Sequence, residues 1–307
     1  MKKALLLLSI VLCLISFWGC ENRNAVTPTA SAPVTQPTET TAGQFLAPAV
    51  DGWTAVTQLE QTLHEGVDYT QILFRDSEQL PHMVHILTVD PQKATLHKGT
   101  ANNELSIVPS DRQNVREHMQ ASVKDGLQVV AAVNGDFFAI ESTYMPSGFS
   151  VKNGTVLREN TSYRPYCAIT REGAYIVADA SDKIDPRTLE MATGGSHILV
   201  RDGILQQIEQ ESALSTVSHP RTLSGVRADG TILLLVIDGR QPELSNGATL
   251  TQCAQLMHSM GAVQAINHDG GGSSTMILRN GDDYTVANSP SDGQLRDVFC
   301  SIQILLK

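Results

Sequence analysis

Two stretches of this sequence repeat one order of elements. The first places Val115, Met119 and Val123 at helical spacing, stops at Gly126, runs through apolar residues 129–133 and ends in Asn134-Gly135-Asp136. The second starts at Thr249, sets Leu250, Cys253, Leu256, Met257 and Met260 on one helical face, and stops at Gly261. It then passes through residues 262–266 into Asn267-His268-Asp269. Apolar spacing of three and four residues builds a helix face, and a glycine just beyond it ends the helix. A chain that writes helix, glycine, strand and Asn-x-Asp twice is expected to fold as two pseudo-equivalent halves whose Asn-x-Asp ends converge. Convergence on one small-ligand site requires Asp136 and Asp269 to lie within about 15 Å of each other.

The remaining pattern is rich in strands. Residues 67–74, 83–89 and 94–97 have strand composition, and the run 232–237 is apolar at every position, as a strand buried on both faces must be. Asn153-Gly154, Glu172-Gly173, Asp202-Gly203, Asp229-Gly230 and Asn280-Gly281 punctuate the chain as antiparallel hairpins require. Ser110, followed by Asp111, is the expected cap of the first helix. The expected fold class is α+β: a mixed, hairpin-rich β-sheet core with two main helices, in a single domain of residues 51–307.

Residues 1–20 read as an export leader, with Lys2 and Lys3 ahead of an apolar run that is short for a membrane span and closes at Gly19-Cys20. That ending is similar to a bacterial lipoprotein cleavage box, so Cys20 is the expected lipidation site and the membrane an expected partner through the lipid. Residues 21–50, scattered with Thr, Pro, Ala and Ser, cannot bury a core and read as a disordered tether. The expected location is therefore the bacterial cell envelope. Cys167, Cys253 and Cys300 lie in apolar contexts and read as buried free thiols. A net charge of −10 argues against nucleic acid, whose phosphates demand a basic face.

The chemistry is concentrated where apolar strands end in polar residues. Asp136, Asp238 and Asp269 occupy three such ends, and carboxylates are what glycosidic cleavage uses. Asp269 is followed by Gly270, Gly271, Gly272, Ser273 and Ser274, a run able to form a nest of backbone N–H groups around an anion. It lacks the Lys of a phosphate-binding Walker loop and the pattern of a serine-nucleophile elbow. Arg221, Arg240 and Arg296 stand beside these polar loops, and guanidinium forks match phosphate or carboxylate oxygens. No cofactor is called for. Calcium or magnesium on the aspartates is an open alternative without EF-hand spacing.

Taken in order, Asn134-Gly135-Asp136-Phe137-Phe138, Gly194-Gly195, His219-Pro220-Arg221-Thr222, Asp238-Gly239-Arg240-Gln241, Asn267-x-Asp269-Gly270-Gly271-Gly272-Ser273-Ser274 and Pro290-Ser291-Asp292-Gly293-x-x-Arg296 resemble the phosphodiester glycosidase family. The resemblance covers roughly residues 83–307. That family often has glycine at the place of Asp136 and leucine at that of His268.

The resemblance implies hydrolysis of a sugar joined through its anomeric carbon to a phosphodiester, so the expected substrate is a glycosyl phosphodiester or phosphorylated polysaccharide of envelope or exopolysaccharide material. It implies Asp269 and Asp238 as catalytic carboxylates, with Asp136 a third candidate. Asn134, Arg221, Arg240, Asn267, His268 and the 270–274 loop are then the expected substrate-binding set, and Asp292 with Arg296 the pair that locks the loop. Two rival functions are a non-catalytic carbohydrate-binding or envelope-assembly module on the same scaffold and a metal-dependent phosphodiesterase.

Overall fold

In the computed structural model, which describes residues 38–40, 49–161, 164–179, 181–209 and 212–307, the Ile232–Ile237 strand is the centre of the layers. Its six side chains are apolar and all are buried. Alternation sends Leu233, Leu235 and Ile237 into one core and Ile232, Leu234 and Val236 into another on the opposite face. The first core is closed by Leu250, Cys253, Leu256 and Met257 of the Leu250–Ser259 helix. The second is closed by Ala131, Val133, Ile302 and Ile304 of a second sheet.

The strand belongs to a nine-stranded antiparallel sheet in the order Thr38–Thr40, Thr54–His64, Val67–Arg75, Pro81–Val89, Ile232–Ile237, Arg221–Arg227, Ala262–Asn267, His197–Arg201, Ile204–Leu205. The second sheet runs Asp283–Val286, Met276–Asn280, Val129–Asn134, Ser301–Leu306, Ala94–Gly99. On its outer face the Val115–Lys124 helix packs Val115 and Met119 against Val129, Ala132 and Ile277. The layer order is thus helix, sheet, sheet, helix, with each ten-residue helix covering the strand that follows it in sequence. A third sheet of five short strands, Tyr175–Ala178, Tyr166–Thr170, Leu189–Gly194, Ser150–Lys152 and Thr155–Arg158, stands beside them.

The two-helix α+β architecture is the one expected, and the described residues form one compact unit. Two local details differ from the sequence reading. The first helix is capped by Asn114 and not by Ser110: the Asn114 side chain accepts from Glu117 N at 3.2 Å while Glu117 Oε2 accepts from Asn114 N at 2.9 Å. This reciprocal box satisfies two backbone N–H groups, which an isolated hydroxyl four residues earlier cannot reach. Val50 was assigned to the tether but lies in the first core at 6 % exposure, and Thr38–Thr40 pairs with Gln58–Glu60 as an edge strand. The expected leader, Cys20 and the rest of the tether up to residue 48 lie outside the described residues. Cys167, Cys253 and Cys300 are free and buried.

Candidate active site

The two Asn-x-Asp ends meet where the two sheets abut. Asn134 ends its strand fully buried and donates through Nδ2 to the Asp269 carbonyl at 2.7 Å. The Asp269 amide in turn donates to the Gly135 carbonyl at 3.0 Å. Asn134 Oδ1 accepts from Thr222 Oγ1 at 2.6 Å and from Thr275 N at 3.1 Å. Asn134 therefore splices the two halves and, fully buried, does not open on the surface a substrate would reach. The equivalent Asn267 donates to Ser196 Oγ at 2.9 Å and to its neighbour's carbonyl, His268 O, at 2.8 Å.

Beside this junction lies a cavity of about 300 Å³ lined by Phe137, Leu214, His219, Pro220, Arg221, Arg240, Asp269, Gly270, Gly271, Gly272 and Arg296. Of the three expected catalytic carboxylates, only Asp269 is on its wall. Its carboxyl is pushed up to about 6, chiefly by burial, while hydrogen bonds from Ser273 and the Gly270 amide oppose the rise. A wider hollow of about 510 Å³ lies elsewhere, around Tyr175 and Gln264, and holds none of the expected residues.

Asp238 is turned away from the cavity. Its carboxylate is buried, with Oδ2 at 3.0 Å from His85 Nε2 and Oδ1 accepting from Asn288 Nδ2 at 3.0 Å and Ser289 N at 2.8 Å. Asn288 also donates to the Ser274 carbonyl at 3.0 Å, so Asp238 acts on the glycine loop by holding its far end. His268 also faces inward: its ring nitrogens contact Gly194 O at 3.0 Å and Ser224 Oγ at 2.6 Å, and burial drives it down to about 4. His268 and Asp269 lie just past the end of the Ala262–Asn267 strand, where His268 is held inward by these partners while Asp269 reaches the cavity. Asp136 is 1 % exposed and stands behind the wall, next to Phe137 which lines it.

The glycines answer to the protein more than to a ligand. A Cβ on Gly270 would meet the Pro220 carbonyl at 2.6 Å, and one on Gly272 would meet both the Asp292 carboxylate and Arg296 Nη2 at 2.2 Å. Gly271 has φ +63°, and a Cβ there would sit 3.1 Å from Arg240 Nη1. The run is a turn of 3-10 helix in which Gly271 N, Ser273 N and Ser274 N donate to Pro220 O, Gly270 O and Gly271 O. Because Gly270 N donates to Asp269 Oδ1, most of the expected N–H nest is already occupied. Ser274 is buried, and Ser273 accepts from Arg296 Nη1 at 3.3 Å. Arg296 is in turn ion-paired to Asp292 at 2.6 Å, which fastens the loop from outside.

Three arginines line the cavity, and with Arg296 paired to Asp292 the positive charge left over is that of Arg221 and Arg240. Arg221 is 1 % exposed, and its Nε and Nη2 donate to the carbonyls of Ala248, Leu214 and Val217 at 2.7 to 3.0 Å. Neither arginine has a carboxylate partner among the described residues. Arg240 is exposed, holds the uncommon φ of +61°, and places Nη2 at 3.4 Å from His219 Nδ1. Burial, Arg221 and Arg240 lower His219, so its neutral form is favoured beside the Arg240 guanidinium. Non-glycine residues at positive φ persist where their surroundings demand it, and functional sites are where they collect. Phe137, Leu214, His219 and Pro220 were not assigned to the site from sequence. His219, Pro220 and Phe137 lie inside motifs already singled out, whereas Leu214 sits on a single helical turn, Ala213–Thr216, that carries no signal. No group of three or more His, Cys, Asp or Glu side chains suited to a metal ion occurs among the described residues.

The phosphodiester glycosidase family profile matches residues 127–304. The chain belongs to that family. Mouse N-acetylglucosamine-1-phosphodiester alpha-N-acetylglucosaminidase is 30% identical over 178 residues, covering 52% of this chain and 33% of that protein. The SPbeta prophage-derived uncharacterized protein YomE of Bacillus subtilis is 36% identical over 88 residues, 29% of this chain and 13% of the other. The chain thus spans a third or less of these curated relatives.

Among solved structures, the catalytic domain of zebrafish N-acetylglucosamine-1-phosphodiester alpha-N-acetylglucosaminidase, auto-inhibited by its pro-peptide, superposes with a TM-score of 0.60 at 19% identity, covering 87% of each chain. A hypothetical protein from Synechocystis superposes with a TM-score of 0.59 at 16% identity over 79% of this chain and 62% of its own. These likenesses establish the same fold.

Proposed function

We propose that this protein hydrolyses the glycosidic bond of a sugar-1-phosphodiester in envelope or exopolysaccharide material, from an exported position held by a lipid on Cys20. The observation that carries the reading is the composition of one cavity: a single half-buried carboxylate, Asp269, lines it together with Arg221 and Arg240, neither of which pairs with a carboxylate among the described residues. Membership of the phosphodiester glycosidase family supports the same chemistry.

The leaving group explains why one carboxylate on the wall is enough. When the bond between the anomeric carbon and the phosphate oxygen breaks, the electron pair stays on a phosphomonoester, an anion far weaker as a base than a sugar alkoxide. It departs without a general acid provided its charge is held, which is the task of Arg221 and Arg240. Asp269 stabilises the positive character at the anomeric carbon, as nucleophile or as base for the water. Water supplies the oxygen that ends on the sugar, so the products are the free sugar and a phosphomonoester.

The test is turnover of a panel of synthetic glycosyl phosphodiesters with products identified by mass. Free sugar plus phosphomonoester is the expected outcome, and Asp269→Asn should reduce it on the order of 10³-fold while the folded state persists. Sugar phosphate as the product would replace this reading with P–O cleavage, and binding of polysaccharide without turnover would replace it with a binding module. For the location, the parent chain should fractionate with membranes and Cys20→Ser should be released; equal distribution of the two would remove the anchor.

A further inference from the structure

Two lysines, Lys98 and Lys152, are fully buried in the second sheet and its neighbour, and neither forms an ion pair with a carboxylate among the described residues. Lys152 is well provided for: its Nζ donates to Thr100 Oγ1 at 2.8 Å, Asn103 O at 2.8 Å and Asn103 Oδ1 at 2.7 Å. Lys98 is not. Its Nζ has the Cys300 thiol at 3.6 Å and the Phe299 ring centroid at 5.8 Å. An ammonium taken out of water with such weak partners costs several kcal/mol unless an opposite charge stands near it.

A carboxyl group able to supply that charge lies on the far side of Cys300. Cys300 Sγ lies 2.7 Å from where a Cβ of Gly135 would be, and the Cys300 carbonyl accepts from Gly135 N at 3.1 Å. The register agrees, since Ser301 pairs with Gly99 on one side and with Asn134 on the other. The next residue after Gly135 is Asp136, whose carboxylate occupies a fitted cradle. Oδ2 accepts from Gly148 N at 2.9 Å, and a Cβ on Gly148 or Gly194 would fall within 2.7 to 3.3 Å of its oxygens. Oδ1 is buried and has no hydrogen-bond partner.

We propose that Lys98 is a positioning residue of the active site, the internal counter-charge that lets Asp136 ionise behind the cavity wall. The proposal rests on the glycosidase reading for its purpose: a charged Asp136 adds to the negative field behind Asp269 that an oxocarbenium-like centre requires. The groups that act electrostatically on Asp136 are Lys98 from the Ala94–Gly99 strand, Arg164 from the loop ahead of Tyr166–Thr170, Asp269 and Cys300, together with the Gly148 amide that donates to it. Lys98 and Arg164 favour the carboxylate, whereas Asp269 and burial oppose it. Arg164 lies over the Phe137 ring at 4.7 Å and, like Lys98, is not among the residues that line the substrate cavity.

The experiment follows the side-chain carboxyl ¹³C resonances of labelled protein as pH is raised, in the parent and in Lys98→Met, which keeps the length of the chain and removes its charge. Asp136→Asn identifies the resonance. The Asp136 midpoint is expected to rise about tenfold in proton affinity or more in Lys98→Met and to return in Lys98→Arg. The acidic limb of sugar release should move to higher pH with it, and Lys98→Met should move nothing once Asp136 is Asn. An Asp136 titration identical in parent and Lys98→Met overturns the proposal, as does a limb that still moves in the double variant. If no glycosyl phosphodiester is turned over, the function falls while the carboxyl titration still decides the role of Lys98. Should Lys98→Met fail to fold, Lys98→Gln is read in the same way.

Discussion

The Asn134 side chain donates to the Asp269 carbonyl over 2.7 Å, and that single bond ties the end of one helix–strand unit to the catalytic candidate at the end of the other. Because Asn134 also accepts from Thr222 and Thr275, every polar atom of its amide that can be used is used on protein. Asn134→Ala leaves a buried hydroxyl, a buried N–H and a buried carbonyl short of partners. At about 1 kcal/mol or more for each, the expected loss is about 3 kcal/mol in urea unfolding. Sugar release should fall further than folding alone explains, since the Asp269 backbone is set by this bond. A loss below about 0.5 kcal/mol would show that water replaces the amide.

The glycine loop separates two kinds of crowding. At Gly270 the obstacle is the Pro220 carbonyl, a backbone atom that also accepts from Gly271 N and cannot retreat. At Gly272 the obstacles are the tips of Asp292 and Arg296, whose side chains are 32% and 29% exposed and can swing outward. Gly270→Ala is therefore expected to cost about 2 kcal/mol or more in thermal or urea unfolding. Gly272→Ala should cost less than about 1 kcal/mol, because an exposed ion pair contributes little. Its cost should appear in catalysis, with the loop unfastened, and Asp292→Ala placed on top should add little further. Equal destabilisation by both alanines would contradict this division.

Much of this fold can be read directly from residue order. The repeated helix, glycine and strand gave both helices and their covered strands, and the unbroken apolar run 232–237 marked the strand shared by two cores. Convergence of Asn134-x-Asp136 with Asn267-x-Asp269 was legible for the same reason. What residue order does not carry is side-chain direction at the strand ends. Asp238, His268 and Asp269 are equally polar and equally placed in sequence, yet only the last opens on the cavity. The difference is made by partners from distant segments, His85 for Asp238 and Ser224 with Gly194 for His268. Lys98 was illegible for a similar reason, since a lone lysine on a short edge strand reads as solvent-facing until the third sheet covers it.

Arg240 offers a substitution that removes charge without disturbing backbone. It is exposed at φ +61°, a conformation glycine adopts freely, so Arg240→Gly deletes the guanidinium while easing the turn. Stability is expected to hold within about 0.5 kcal/mol of the parent. Affinity for the phosphate-bearing substrate should weaken by about tenfold to a hundredfold, the range of a charge-assisted contact of 1.5–3 kcal/mol. Inorganic phosphate should inhibit the parent more strongly than the variant. Arg221→Ala should behave differently, losing stability as well, because Arg221 also satisfies the Leu214, Val217 and Ala248 carbonyls. A variant lacking Arg240 with unchanged KM and unchanged phosphate inhibition would place the anion elsewhere in the cavity.

The buried Asp136 makes a signed prediction for stability against pH. Burial raises its carboxyl from the ordinary 3.8 to about 7 in the folded chain. Folding therefore favours the protonated form. The associated stability is fully present below about pH 4 and is lost as pH rises through about 7. Asp136→Asn keeps the shape and the neutral character at every pH, so the variant should gain on the parent as pH rises from 4 to 8. A rise from 3.8 to about 7 corresponds to on the order of 4 kcal/mol as an upper bound. Asp269, raised to about 6, contributes a slope of the same sign in both proteins, and the loss of its repulsion with an ionised Asp136 in the variant widens the difference in the same direction. Urea unfolding of the two chains at pH 4.5, 6 and 8 measures that difference, and the gap should widen mainly above pH 5. A constant gap would mean that Asp136 binds its proton no more tightly in the folded chain than in the unfolded one, and that its cradle already accommodates the charge.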